Sequence, residues 1–117
     1  MERRIPDRLA VAALDLMSES FLWLDQYACV IWANRAACDM LGRNLGDLRD
    51  IPLSHFVPTH PPAALLEDLD KTRTGHPVQR KMLLQFPDGS TLDVEATFSF
   101  VQIEDQSYFG CCMRDCL

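Results

Sequence analysis

An α+β fold is expected from this sequence: a five-stranded antiparallel sheet with short helices over one face and an N-terminal amphipathic helix. Three observations predict it. The segment TLDVEATFSFV, residues 91–101, alternates apolar and polar side chains with the period of a half-buried strand. Between Asn44 and Thr74, Pro52, Pro58, Pro61 and Pro62 cut the chain into short helical pieces. The apolar runs at residues 21–25 and 29–33 are too short for independent helices but suit a tight antiparallel pair. With 117 residues, 48% of them hydrophobic, the chain can bury one packed core.

The elements follow in order. Leu9, Ala12, Ala13, Leu16 and Met17 fall on one stripe of a 3.6-residue helix, with Pro6 near its start. FLWLD and CVIWA then form two strands, joined by a turn at Gln26–Ala28 that lacks an Asn-Gly signal. Asn34 is placed to cap the next helix, a contact worth ~1 kcal/mol relative to alanine. Ala36, Ala37, Met40 and Leu41 make that helix's inward face, and Gly42 ends it. GDLRDIP and LSHFVP read as helices of one or two turns, and PPAALLEDLDKTRTG as a longer one ending at Gly75. On the longer helix Leu65, Leu66 and Leu69 are expected inside, with Glu67, Asp68 and Asp70 facing water or a partner. Residues 77–86 form the third strand, Asp88-Gly89 the turn into the fourth, and YFGCCMRDC the fifth, with Phe109, Cys111 and Met113 on one face.

The charge balance excludes some functions. Seventeen acidic against eleven basic side chains give −6, and no basic block is interleaved with aromatics, so this domain is not expected to bind nucleic acid directly. No apolar run reaches the ~18 residues of a membrane span, and Asp7, Arg8 and Asp15 interrupt the start, so neither membrane insertion nor a secretory signal is expected. The odd set Cys29, Cys38, Cys111, Cys112 and Cys116 favours reduced thiols, which points to a cytoplasmic setting. Catalytic patterns are missing: there is no phosphate-binding glycine loop, HExxH pair or nucleophile elbow. Nor does CCMRDC have the Cys-x-x-Cys spacing of a metal site. No catalytic residue or metal ligand is assigned.

Taken in order, FLWLDQYACVIWANRAACDMLG, the pair His60-Pro61 leading to Thr74-Gly75, PDGS before a long alternating strand, and the final FGCCMRD resemble a PAS domain over roughly residues 17–116. This family of sensory modules occurs in histidine kinases and transcription regulators. The resemblance implies a cavity between sheet and helices, homodimerisation through the N-terminal helix, and an output domain in the full-length protein. Residues 1–18 are thereby assigned to the dimer helix and 19–117 to the sensory domain.

Two departures bear on cofactors. Flavin-binding members carry a reactive cysteine in an NCRFLQ-like segment, whereas the corresponding LRDIPLSHF has none and Cys38 lies in the earlier helix. Heme-binding members place a histidine inside the longer helix, where this chain has Ala63, Ala64, Leu65 and Leu66. Neither heme nor flavin is expected; His60 and His55 read as capping, packing or solvent-facing, and His76 as a turn residue.

If a ligand cavity exists, its apolar lining is drawn from Trp23, Trp32, Met40, Phe56, Leu66, Leu84, Phe98 and Phe109, with Asn34, Arg80 and Gln85 as polar contacts. The function expected is signal sensing and protein interaction, through a small ligand or through dimerisation along Leu9, Ala12, Ala13, Leu16 and Met17. Two alternatives stand beside it: a purely structural homodimerisation domain, and a thiol sensor at Cys112 and Cys116, with Arg114 favouring the Cys112 thiolate.

Overall fold

One antiparallel sheet organises the structure, a computed structural model describing residues 7–116. Its strands are β1 (Ser20–Leu24), β2 (Val30–Ala33), β3 (Val78–Gln85), β4 (Thr91–Ile103) and β5 (Gln106–Asp115), in the spatial order β2-β1-β5-β4-β3. The two ends of the chain therefore meet in the middle of the sheet, where Leu22 lies opposite Cys111 and Leu24 opposite Phe109. The helices are α1 (Asp7–Leu16), α2 (Arg35–Leu41), α3 (Leu45–Leu48) and α4 (Pro62–Lys71). Single 3-10 turns at Leu53–His55 and Thr72–Thr74 complete the chain between β2 and β3. The expected α+β class is thus observed, with α1 in place; Pro6, expected near its start, lies outside the described residues.

Local chemistry accounts for the boundaries. Asn34 caps α2, and Gly42 at φ +68 ends it in the left-handed region that glycine enters without a Cβ penalty. The β1–β2 turn closes without Asn-Gly because Asp25 Oδ1 accepts from the backbone N–H of Tyr27 (2.9 Å) and Cys29 (3.0 Å), an Asx-type substitute for a backbone turn. Along β4 the alternation persists: Val94, Ala96 and Phe98 are buried, and Leu92 and Phe100 pack half-buried against the same cluster. Phe109, Cys111 and Met113 join them from β5. Helical side chains such as Leu41, Leu48, Leu53, Leu65 and Leu69 cover this face.

Two expectations are corrected. On α4 it is Asp68, at 6% exposure, that turns inward beside Leu65 and Leu69, while Leu66 is 39% exposed. Asp68 can enter because Arg80 on β3 compensates its charge. On β2, Leu24 lies opposite Val30 but Trp23 opposite Trp32, leaving Ile31 as the extra residue of a bulge. The bulge breaks strict alternation, so Val30 is buried in the core while Trp32 shares the face of Trp23, away from the helices.

Candidate functional site

Between helices and sheet the layer is filled by side chains. Phe56, Leu84, Phe98 and Phe109 are buried core, and Met40 is half-buried against it, with Ser20 Oγ donating to its Sδ at 3.3 Å. The three polar residues expected to face a ligand are committed elsewhere. Arg80 donates from Nε to Asp68 Oδ2 (3.1 Å) and from Nη2 to Asp68 Oδ1 (2.9 Å), a two-point bridge from β3 to α4. Gln85 has an exposed side chain and contributes its backbone N–H, which donates to the Phe56 carbonyl at 2.9 Å. Asn34 is fully buried, with both ends of its carboxamide bonded to backbone.

The residues of this layer do not fit a heme. His60 precedes α4, and its Nε2 stands 3.9 Å from Asp68 Oδ2, inside an acidic and basic cluster completed by Arg80 and Lys71. Leu65 and Leu69 occupy the helix face where an axial histidine would be needed. Among the described residues, no three His, Cys, Asp or Glu side chains gather closely enough to hold a metal ion.

A groove opens at the edge of this layer, beside α4. Gln26, Ala63, Leu66 and Asp70 form its rim, and Leu69 and Phe109 its floor; its volume is about 410 Å³. Arg73 lies across it, with its guanidinium 5.0 Å from the Phe100 ring centre and 5.3 Å from that of Phe109. Its Nη1 donates to Ser107 Oγ (3.0 Å), and its Nε pairs with Asp70 Oδ1 at 3.1 Å. Leu66, expected as interior lining, belongs to this outer rim.

The opposite face of the sheet carries an apolar patch. Trp23, Ile31, Val101, Ile103 and Tyr108 line a shallow concavity of about 270 Å³, and Ile103 is 59% exposed. Phe21 and Trp23 meet edge-to-face, their ring centres 4.8 Å apart, and both lie over Gly110. A Cβ at Gly110 would come within 3.1 Å of Phe21 Cζ and 3.4 Å of Trp23 Cζ3, so glycine lets the aromatic pair lie down on the strand. Trp23 and Trp32, expected as pocket lining under the helices, are both on this outer face.

Residues Leu9, Ala12, Ala13, Leu16 and Met17 are all exposed, Leu16 at 87%. The helix α1 is held by polar ties rather than by its apolar stripe: Asp15 Oδ1 accepts from Arg35 N at 3.0 Å, and Asn34 Nδ2 donates to Leu14 O at 2.8 Å. Among the described residues, the α1 stripe and the outer sheet face are thus two exposed apolar surfaces.

The two thiols of the alternative redox reading, Cys112 and Cys116, lie in different surroundings. Burial, and then the nearby Glu19 carboxylate, push the Cys112 thiol up from its ordinary value. Arg114, expected to favour a Cys112 thiolate, instead donates from Nη2 to Glu95 Oε1 at 2.7 Å. Cys111 is buried and pushed up further by desolvation, whereas Cys116 is exposed.

A family model described as PAS domain matches residues 18–116. No curated protein sequence matches the chain. Among solved structures, the chain is similar to the PAS domain of an HTR-like protein from Haloarcula marismortui, with 18% identity, TM-score 0.83, and 92% of this chain and 89% of that one covered. It is also similar to a PAS domain from a two-component sensor histidine kinase, with 17% identity, TM-score 0.78, and coverage of 92% and 94%. The PAS domain of nitrogen regulation protein NR(II) from Vibrio parahaemolyticus shares 24% identity at TM-score 0.74, with coverage of 92% and 97%. At these identities the likeness speaks for the fold.

Proposed function

The chain belongs to the PAS domain family, matched over residues 18–116, and we propose on that footing that it is a signal-sensing and interaction module of a multidomain signalling or transcription regulatory protein. Its output runs through a homodimer in which α1 and the outer sheet face are covered. One observation carries this reading: the same chain presents an apolar helix stripe ending at Leu16 and an apolar sheet patch around Trp23 and Ile103, each without a partner. Removing apolar area of this kind from water contributes a gross ~25 cal/mol per Å², from which the entropy cost of association is subtracted. The filled layer under the helices supports dimerisation over an enclosed internal ligand. The odd set of thiols supports a reducing, cytoplasmic setting.

Sedimentation across a dilution series tests the reading. Wild-type chain is expected to pass from dimer to monomer. Leu16→Asp, which puts a charge into an apolar contact at a cost of about 2–3 kcal/mol, is expected to weaken association ~30-fold or more. A wild-type mass that stays monomeric at high concentration, or a Leu16→Asp chain that associates as well as wild type, contradicts it.

The groove beside α4 favours a second reading, binding of a small ligand. Arg73 covers aromatic floor with contacts that are themselves at the surface, Asp70 and Ser107, and can swing aside without opening the core. Native mass spectrometry of the purified chain distinguishes the readings: a bound small molecule whose removal changes association supports sensing through the groove, and a bare chain that still dimerises supports dimerisation alone.

A further inference from the structure

Four backbone groups from three stretches of chain, the end of α1, the start of β1 and the first turn of α2, converge on the carboxamide of Asn34. Its Oδ1 accepts from Phe21 N (3.0 Å) and Ala37 N (2.9 Å), and its Nδ2 donates to Leu14 O (2.8 Å) and Glu19 O (3.0 Å). A carboxamide offers two donors and an oxygen with two lone pairs, so the capacity of this buried side chain is used in full. Capping α2 needs only the bond to Ala37 N, which aspartate, serine or threonine also makes. The bonds to Leu14 and Glu19 need an amide nitrogen. Leu14 O belongs to the last turn of α1; Met17 N donates to it at 3.3 Å, and its second lone pair takes the shorter bond from the Asn34 amide.

The attachment of α1 is concentrated at this point. Its stripe is exposed, and among the described residues its other polar tie to the rest of the domain, Asp15 to Arg35 N, ends on the residue next to Asn34. On the other side of the joint, α2 is fastened to the sheet. Ala37 and Leu41 are buried in the core, and Ser20 Oγ at the start of β1 lies 3.3 Å from both Ala36 O and Met40 Sδ.

We propose that Asn34 is a coupling joint that makes the orientation of α1 depend on how α2 sits against β1. The amide is planar and its N and O cannot separate, so a shift of α2 relative to β1 rotates it, and the rotation carries the Leu14 carbonyl along or breaks its bond. Coupling runs both ways: a partner that holds α1 in one orientation favours one packing of α2 on the sheet. It transmits a signal when the two packings differ in their affinity for that partner. The joint lies within one chain and does not depend on the dimer.

Amide hydrogen exchange on the full chain tests this, with Asn34→Asp as the first variant. Aspartate keeps the acceptor for Phe21 N and Ala37 N but sets a carboxylate oxygen against the carbonyls of Leu14 and Glu19. Exchange over residues 11–16 is expected to rise about tenfold or more, while Leu22 and Cys111 in the sheet change by less than about threefold. Ser20→Ala is the second variant, available if the first does not fold, and it touches neither α1 nor Asn34. Loosening α2 against β1 there is expected to speed exchange in residues 11–16 by about threefold. Unchanged exchange in α1, or an equal rise in α1 and sheet, overturns the proposal in either variant. Native mass recorded on the same samples separates a loosened joint from a dissociated dimer.

Discussion

Arg80 and Asp68 form a two-point ion pair, at 2.9 and 3.1 Å, between the third strand and the α4 helix. The Asp68 side chain is 9% exposed and that of Arg80 38%, so the charge left behind when one partner is removed depends on which one is removed. Arg80→Ala strands a buried carboxylate near only Lys71 and His60, each 3.9 Å away. It is expected to cost about 2–3 kcal/mol, below the range for a fully buried pair because the arginine side is open to water. Urea denaturation of Arg80→Ala, Asp68→Leu and the double variant should show that the double costs clearly less than the sum of the singles. Additive costs would mean that the pair does not act as a unit.

The turn between the first two strands depends on Asp25. Asp25→Ala removes the acceptor for the Tyr27 and Cys29 amides and is expected to destabilise the domain by about 1–2 kcal/mol. Asp25→Asn, which retains an acceptor oxygen, should recover most of that. Equal losses for alanine and asparagine in a denaturant titration would show that the side-chain bonds do not hold the turn.

Gly110→Ala should disturb the outer face while leaving the helix-covered face intact. The added methyl meets the Phe21 ring at 3.1 Å, so the edge-to-face pair with Trp23 must move. A loss of about 1–2 kcal/mol in stability is expected, together with a shift in tryptophan emission. Unaltered emission would mean that the rings have room which the structure does not provide.

Thiol chemistry should follow burial. Cys116, exposed, is expected to react first, Cys112 slowly at neutral pH, and Cys111 only on unfolding. Because the folded Cys111 thiol is held well above its ordinary value of 9.0, the folded state retains a proton that the unfolded state releases. The stability contribution is complete below the unfolded thiol value and is lost as pH rises past it, by at most about 1.4 kcal/mol per pH unit. Denaturation midpoints above about pH 9 should fall more steeply for wild type than for Cys111→Ala; parallel pH profiles would remove the assignment.

Much of this architecture is legible before folding, and the rest fails for identifiable reasons. Alternation through Val94, Ala96 and Phe98, the Asp88-Gly89 turn, the Asn34 cap and the stop at Gly42 depend on near neighbours in sequence, and each is where periodicity and turn chemistry place it. The pattern of α4 turns Asp68 to water, because an acidic residue on an amphipathic helix ordinarily faces it; its partner sits twelve positions later on another element. A single extra residue, Ile31, turns Trp32 to the face opposite the one that alternation predicts, since alternation carries no sign of a bulge. At Asn34 the cap was visible but not the bonds to Leu14 and Glu19, which exist only once α1 has folded back beside α2.

Both tryptophans of the chain, Trp23 and Trp32, lie on the outer sheet face, so their accessibility reports directly on whether that face is where copies meet. Acrylamide quenching measured across a dilution series, with mass recorded on the same samples, is the most direct test. Quenching should rise as wild-type dimer dissociates, and in Leu16→Asp it should stand at the dilute wild-type value at every concentration. Quenching that stays constant while the mass changes would place the association elsewhere and contradict the account.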